Sequence, residues 1–107
     1  MKKVNKSRGI PLDEIVVERF RDPKRARLAV KLALQEYEKD NDVAILLDTL
    51  RLVARAQGGL SNLARKTSVS RQALSEALSP QGNPRLRTFH TVLDALGLKM
   101  SFKEVHR

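Results

Sequence analysis

The segment DVAILLDTLRLVARAQ, residues 42–57, is the feature that most constrains the fold. Its apolar residues recur at the spacing of one helical face, and this face comprises Leu46, Leu47, Leu50, Val53 and Ala54. So wide an apolar stripe must be buried against other elements. A chain of 107 residues is long enough for one domain with one core. The sequence therefore predicts a single helical domain packed around this segment.

Capping residues and loop dipeptides mark further helices on both sides of this segment. Asp22 and Pro23 suit the start of a helix that ends near Asn41. Within it Leu28 and Leu32, with their neighbouring alanines, repeat at helical spacing. Asp42 can cap the next helix, and the pair Gly58-Gly59 can end it. Three shorter helices are predicted over about 60–67, 70–79 and 85–97. In the last of these, Leu86 is expected to face inward.

Two other segments carry patterns typical of strands. LDEIVVERF, residues 12–20, contains consecutive β-branched residues and is a candidate strand or docking segment. LKMSFKEV, residues 98–105, alternates apolar and polar residues, which predicts a strand. A lone strand needs an edge to pair with, either residues 15–17 or the same strand of a second chain. The predicted fold class is mainly α, a five-helix bundle with one or two short peripheral strands.

The same patterns predict three regions within one compact domain. Residues 1–11 are polar and basic and are expected to form a flexible tail. Residues 12–42 form an N-terminal segment with the first helix. Residues 43–107 hold the remaining helices and the C-terminal strand.

The net charge of +9 favours polyanionic partners such as DNA, RNA or an acidic protein surface. Part of the excess positive charge is concentrated in residues 60–87, which contain five basic residues and one acidic residue, Glu76. The charges of residues 22–42 sum to zero. An RNA-binding role is disfavoured because the chain lacks an aromatic stacking platform.

Several classes of protein are disfavoured by what the sequence does not contain. There is no cysteine, no run of apolar residues of membrane-spanning length and no signal-like stretch, so a cytoplasmic, nucleoid-associated protein without membrane contact is expected. His90 and His106 are the only histidines, and no spacing typical of a metal site or a phosphate loop is present. We therefore predict no enzyme activity, no cofactor and no metal.

LARKTSVSRQAL, residues 63–74, reads as a short helix, an interruption and a second helix. Two helices joined by a turn of three or four residues form a helix-turn-helix, whose second helix lies in the major groove of DNA. Ala64 allows the two helices to approach closely. Arg71 can donate two hydrogen bonds to guanine, and Gln72 can pair with adenine in the same way. The interruption thus aims a helix end with base-reading side chains away from the body.

Other residues around this motif are candidates for DNA contact. Ser75 and Glu76 lie one turn further along the second helix and can also reach base edges. The flanking basic residues can neutralise phosphates: Arg65, Lys66, Arg85 and Arg87.

Residues 58–101 resemble the Cro/C1-type (XRE-like) helix-turn-helix family, and more closely its HigA-like addiction module antidote branch. The resemblance is carried by LARKTSVSRQALSEALSPQGNP followed by TVLDALGL. In that branch the pattern L-A-x-x-x-G-x-S-R-x-x-L-x-x-A-L-S-x-x-G-N-P recurs. The resemblance implies a five-helix, lambda-repressor-like DNA-binding domain that acts as a homodimer on a palindromic double-stranded operator.

The resemblance also assigns roles to individual positions. It places base reading at Arg71, Gln72, Ser75 and Glu76, a phosphate contact at Ser70, and a backbone or minor-groove contact at Arg85. Two positions depart from the family pattern. Ser68 stands where glycine is usual and must tolerate a restricted backbone, and Leu60 stands where a phosphate-binding glutamine is frequent, so Ser61 or Asn62 would have to replace that contact.

The branch further implies a protein partner, a RelE/ParE-like toxin that the antitoxin neutralises while repressing the shared operon. With this resemblance, residues 43–107 are the expected DNA-binding region, and residues 12–42 are a candidate contact for the toxin or a second copy. The carboxylates available to a basic partner are Glu14, Glu18, Glu36, Glu38, Asp40 and Asp42. An ordinary solvated helix face explains the same charges. Two alternatives remain: a stand-alone phage-type transcriptional repressor without a toxin, and a pure interaction protein whose helix-turn-helix no longer binds DNA.

Overall fold

The computed structural model describes residues 4–5 and 10–106. This part of the chain contains a short antiparallel pair, β1 (Val4–Asn5) with β2 (Ile10–Pro11), followed by six helices. The helices are α1 (Leu12–Arg19), α2 (Pro23–Asp40), α3 (Ala44–Ala56), α4 (Gly59–Thr67), α5 (Arg71–Ala77) and α6 (Leu86–Ala95). The mainly helical fold class is confirmed, but the predicted number of five helices is wrong for the described chain.

The region predicted as a flexible tail, residues 1–11, lies largely outside the described residues. In its described part, Val4 pairs with Pro11 and Asn5 pairs with Ile10.

The helix α3 lies at the centre of the described structure. It packs against α1, α2 and α4, and α4 in turn packs against α5 and α6. The stripe predicted to be buried is buried: Leu46, Leu47, Leu50, Val53 and Ala54 all belong to the core. No polar or charged residue is buried among the described residues. The core is therefore held by the removal of apolar side chains from water.

The ends of α2 and the start of α3 follow the predicted capping chemistry. The Asp22 side chain accepts a hydrogen bond from the Lys24 amide at 3.0 Å, and Pro23 is the first helical residue. Asn41 ends α2 in the left-handed conformation, with φ of 58°. The Asp42 carboxylate accepts a hydrogen bond from the Ala44 amide at 2.9 Å, which satisfies a free donor of the first turn of α3.

The sixth helix is α1, which replaces the strand considered for residues 12–20. Its β-branched residues favour a strand intrinsically, but α1 packs on α3 and half-buries Ile15, Val16 and Val17. Polar contacts add to this packing: a Glu14 carboxylate oxygen lies 2.6 Å from Nη2 of Arg55 in α3. Tertiary contact therefore overrides the local propensity.

The junction between α1 and α2 is also tied to the end of α3. The side-chain amide of Gln57 donates to the Phe20 carbonyl at 2.6 Å. This bond satisfies a carbonyl at the break between two helices, where no helical partner exists.

The buried face of α2 differs from the apolar repeat seen in the sequence. Ala26, Val30 and Ala33 are buried, whereas Leu28 and Leu32 are 55% and 52% exposed. Small residues face α3 because the two helices approach closely there, and the larger leucines are left on the solvent side.

The strand predicted for residues 98–105 is not present in the described chain, and its suggested partner, residues 15–17, is helical. A strand requires a neighbour for its backbone groups, and no described residue pairs with this segment. Leu98 and Met100 nevertheless pack against the core, so two of the alternating apolar side chains are partly buried.

None of the helices in the described ranges is long and apolar enough to cross a membrane.

The orientation of α2 predicts different effects for two truncations to alanine. Val30→Ala should lower the free energy of unfolding by about 1–3 kcal/mol because Val30 is buried against α3. Leu28→Ala should change it by less than about 0.5 kcal/mol because this side chain is exposed. Urea unfolding followed by circular dichroism measures both. A larger loss for Leu28→Ala would mean that the leucine face points inward.

Candidate nucleic-acid interface

The helices α4 and α5 are joined by a three-residue turn, residues 68–70. Ser68 adopts the left-handed conformation with φ of 60°, as expected for a position where glycine is usual. Its amide donates to the Ala64 carbonyl at 3.0 Å and closes the last turn of α4. The Thr67 hydroxyl accepts from the Val69 amide at 3.3 Å, so the turn is held at both sides.

The second helix begins at a side-chain cap. Ser70 has an extended backbone, and its hydroxyl accepts a hydrogen bond from the Ala73 amide at 3.1 Å. This bond satisfies one of the free amides of the first turn of α5. The hydroxyl hydrogen is not used in that bond and can be donated to another acceptor.

The two faces of α5 differ sharply in exposure. Leu74 and Leu78 are completely or almost completely buried in the core. The four residues predicted to read bases are all exposed: Arg71, Gln72, Ser75 and Glu76. Because residues i, i+1, i+4 and i+5 share one side of a helix, the structure brings these four together on a single surface, which we call the α5 face.

The polar side chains of the α5 face differ in whether they bond to a neighbouring residue. The Gln72 amide donates to the Glu76 carboxylate at 3.3 Å, along one helical turn. Arg71 has no hydrogen bond or ion pair with any described residue, so its guanidinium is available to a partner. Glu76 is the only acidic residue between positions 60 and 87, so its bond to Gln72 also leaves the neighbouring cations uncompensated.

The residues of α4 that are predicted to contact the DNA backbone differ in exposure and in hydrogen bonding. Ser61, Arg65 and Lys66 are exposed. Asn62 is half-buried: its amide donates to the Gln57 carbonyl at 2.9 Å, and its oxygen accepts from Arg65 at 3.3 Å. Asn62 therefore joins the end of α3 to the start of α4, and Ser61 is the more accessible of the two candidates for a phosphate contact at this end of α4.

The loop between α5 and α6 places two further cations. Arg85 immediately precedes α6 and Arg87 lies in its first turn, and both are exposed. Leu86, which the sequence pattern placed inward, is 70% exposed between them, because it is the first residue of α6 and lies nearly two turns before the buried Val92 and Leu93.

The same loop approaches α5 closely at Gly82. A Cβ atom added at Gly82 would overlap the Ala77 carbonyl oxygen, so no other residue fits without movement. The Gly82 amide donates to the Ser79 carbonyl at 2.8 Å. The loop thus packs directly on the C-terminal end of α5.

Arg51 is a positioning residue that the sequence analysis missed. It lies on α3, and its guanidinium donates both to the Leu78 carbonyl at the end of α5 and to the Asp48 carboxylate, the latter at 2.8 Å. The bond to Leu78 satisfies a carbonyl that has no helical partner. The only sequence signal was a charged pair, Asp48 and Arg51, three residues apart within a mostly apolar helix.

Most carboxylates considered for a protein partner already have intramolecular contacts. Glu14 pairs with Arg55, Glu18 with Arg21 and Glu36 with Lys39. Asp40 and Asp42 accept hydrogen bonds from backbone amides at the junction of α2 and α3, while Glu38 has no such contact with a described residue.

Comparison with known proteins gives one family and one relative. A family model described as "Probable addiction module antidote protein" matches residues 25–104. A protein of Haemophilus influenzae described as uncharacterized is 33% identical over 75 residues, which cover 70% of this chain and 76% of that protein. No solved structure matches the chain. The matched range includes every candidate DNA-contacting residue and Arg51.

The contact between Arg51 and Leu78 predicts that α5 loosens when the guanidinium is removed. Arg51→Ala should lower the free energy of unfolding by about 1–3 kcal/mol, because it leaves a half-buried carbonyl without a donor. Hydrogen exchange of the α5 amides should accelerate more than that of α2. Asp48→Asn is the matched control, because it removes the carboxylate and keeps the bond to Leu78. Equal effects of the two variants on α5 would contradict the assignment.

Proposed function

Because the chain belongs to the family of probable addiction module antidote proteins, we propose that it is the DNA-binding antitoxin of a toxin–antitoxin module. In this proposal a homodimer binds a palindromic operator and represses its own operon, and the protein neutralises a RelE/ParE-like toxin. It acts by binding and not as an enzyme. A protein with this role works on the nucleoid, in the cytoplasm.

The α5 face is the observation that carries the DNA-binding part of the proposal. Four hydrogen-bonding side chains project from a helix whose opposite side is anchored in the core by Leu74 and Leu78. We interpret α4, the turn 68–70 and α5 as a helix-turn-helix, with α5 as the recognition helix. A helix anchored in this way presents its side chains to the major groove with little loss of backbone conformational entropy on binding.

Each residue of the α5 face has a role in this proposal. Arg71 donates to N7 and O6 of a guanine, the commonest specific contact of this kind. Gln72 reads an adenine after exchanging its hydrogen bond with Glu76 for one with the base. Glu76 can accept from a cytosine amino group, and Ser75 can bond to either kind of edge.

The remaining polar residues would hold the DNA backbone. Ser70 can donate its free hydroxyl hydrogen to a phosphate, and Ser61 can do so from the first turn of α4. The exposed cations neutralise phosphates on both sides of α5: Arg65, Lys66, Arg85 and Arg87. Asn62 contributes indirectly, by fixing the start of α4 and orienting Arg65.

The toxin-binding part of the proposal is supported by the family and by the surface of α1 and α2. Half of the eight carboxylates of residues 12–42 lie in exposed ion pairs, those of Glu18 and Glu36 among them. Such pairs contribute only about 0–1 kcal/mol, so a basic partner can exchange them at little cost. The exposed Leu28 and Leu32 add apolar surface on the same segment.

The DNA-binding proposal predicts different effects for Arg71 and Arg85. Arg71→Ala should cost about 1–3 kcal/mol on the operator and relax the preference for one base pair. Arg85→Ala should weaken binding to all sequences alike and reduce the salt slope by about one. Fluorescence anisotropy with the DNA upstream of the gene and with scrambled DNA, at several salt concentrations, measures both.

Lys24→Ala, at the exposed start of α2, is the matched control for charge and should leave both quantities nearly unchanged. A uniform loss from Arg71→Ala across all sequences would refute its role as a base reader. If the double variant Arg71→Ala/Gln72→Ala binds both DNAs as the wild type does, the result would favour the pure interaction protein.

The toxin proposal predicts that the protein from the adjacent reading frame binds this chain and arrests growth when it is expressed alone. Co-expression of this chain should restore growth, and co-expression of the Arg71→Ala/Gln72→Ala variant should restore it equally, because DNA reading and neutralisation use different surfaces. Growth assays and co-purification test this. Operator binding without any such partner would favour the stand-alone repressor.

A further inference from the structure

In the C-terminal segment, residues 98–105, some apolar side chains are exposed and few backbone groups form hydrogen bonds. The Leu98 amide donates to the Leu93 carbonyl at 2.9 Å, and no later described residue takes part in a backbone hydrogen bond. Leu98 and Met100 pack against the core, but Phe102 is 93% exposed and Val105 is 70% exposed. A segment with strand-like alternation thus ends in an aromatic side chain directed into solvent.

An apolar groove of about 360 Å³ lies beside this segment. Its walls come from α2, from α6 and from residues 98–102 of the segment itself, and its apolar lining includes Leu34, Phe89 and Leu93. Lys31 and Glu38, which are exposed and opposite in charge, also border it. The exposed Phe102 lies at the same groove without filling it.

We propose that a second copy of this chain covers this face. Residues 98–102 of the two copies pair as antiparallel strands, and Phe102 of each copy enters the groove of the other. The inference deepens the homodimer of the proposed function, on which it rests, by assigning the interface.

The occupant is a second copy because this face is self-complementary. A two-fold interface uses the same patch on both chains, so a protruding group and its receiving groove must lie together. Phe102 and the groove satisfy this condition. The charges also match, since each copy offers Lys31 and Lys103 as well as Glu38 and Glu104, and a copy turned by two-fold symmetry can place cation against anion. Strand pairing would satisfy the free backbone groups.

The size of the contact agrees with a dimer. Burying a phenylalanine removes roughly 150–250 Å² from water, so two copies of Phe102 supply roughly 300–500 Å². Stable interfaces bury roughly 1,200–2,000 Å² in total. The two groove walls, the paired segments and Val105 from both chains are available for the remainder.

The residue pattern selects one register for the pairing. In an antiparallel pair, residues directly opposite each other share a face, so Leu98, Met100 and Phe102 must be matched among themselves. Centring the pair on Ser101 would place Lys99 opposite Lys103, and centring it on Phe102 would place Met100 opposite Glu104. Centring it on Met100 places Leu98 opposite Phe102, beside the groove that Leu98 lines.

Cysteine cross-linking tests this register directly, because the chain contains no cysteine of its own. In Met100→Cys the two thiols lie opposite each other, at a Cα separation of roughly 4.5–5.5 Å that a disulfide can span. Mild oxidation should convert this variant to a covalent dimer. Ser101→Cys is the matched control, because its two copies are offset along the strands and should cross-link little. The reverse ranking would overturn the register.

Sedimentation equilibrium without DNA tests the role of Phe102. Phe102→Ala should raise the dimer dissociation constant by about tenfold or more, as expected for a buried aromatic anchor. Leu28→Ala, which removes another exposed apolar side chain, should leave the constant unchanged. Circular dichroism checks that both variants keep the helical fold. No change in Phe102→Ala, or a loss of dimer in Leu28→Ala, would overturn the proposal.

The same variants separate this inference from the proposed function. If the wild type binds the operator and Phe102→Ala remains dimeric, the interface assignment fails and the DNA-binding function stands. If Met100→Cys cross-links but the wild type binds no operator, the DNA-binding function fails and the interface stands.

Discussion

The burial of the apolar stripe of α3 is the interaction on which the rest of the structure depends. Leu47 and Leu50 are fully enclosed, and α1, α2 and α4 each cover part of the same helix. Each large apolar side chain so buried contributes about 1.5–3 kcal/mol relative to exposure. The positions of α5 and α6 depend on this burial indirectly. Both helices pack against α4, which in turn packs against α3.

Polar contacts in this protein set orientation at helix ends and do not enter the core. Gln57 holds the junction of α1 and α2, Asn62 joins α3 to α4, and Arg51 reaches the end of α5. Each of these bonds satisfies a carbonyl that the helical ladder leaves free. The apolar core therefore supplies most of the stability, while these three side chains orient the helix ends that they reach, and Arg51 is the one that reaches α5. A seven-residue helix such as α5 would not be stable alone.

The described part of the chain presents three candidate surfaces for partners, and they differ in chemistry. The α5 face is polar and lies among cations, which suits DNA. The exposed side of α2 combines Leu28 and Leu32 with ion pairs that a partner can exchange, which suits a protein. The groove between α2 and α6, with Phe102 beside it, is apolar and self-complementary, which suits a second copy. On these assignments, substitutions can alter neutralisation separately from DNA binding, whereas loss of the dimer also weakens binding to a palindromic operator.

The sequence by itself determined those features that depend on local chemistry. Asp22, Asn41 and Ser70 mark helix ends because their side chains or backbone satisfy free groups within a few residues, and the stripe of α3 is visible as a simple period. The exposed face of α5 follows from the same periodicity. Only the tertiary structure decided the outcomes that depend on distant neighbours. Residues 12–20 became a helix because α3 covers them, Leu28 turned outward because a close helix contact needs small residues, and Arg51 acquired its role from a carbonyl 27 residues away. Residues 98–105 lack a strand because hydrogen bonding between strands requires a second edge, which local sequence cannot supply.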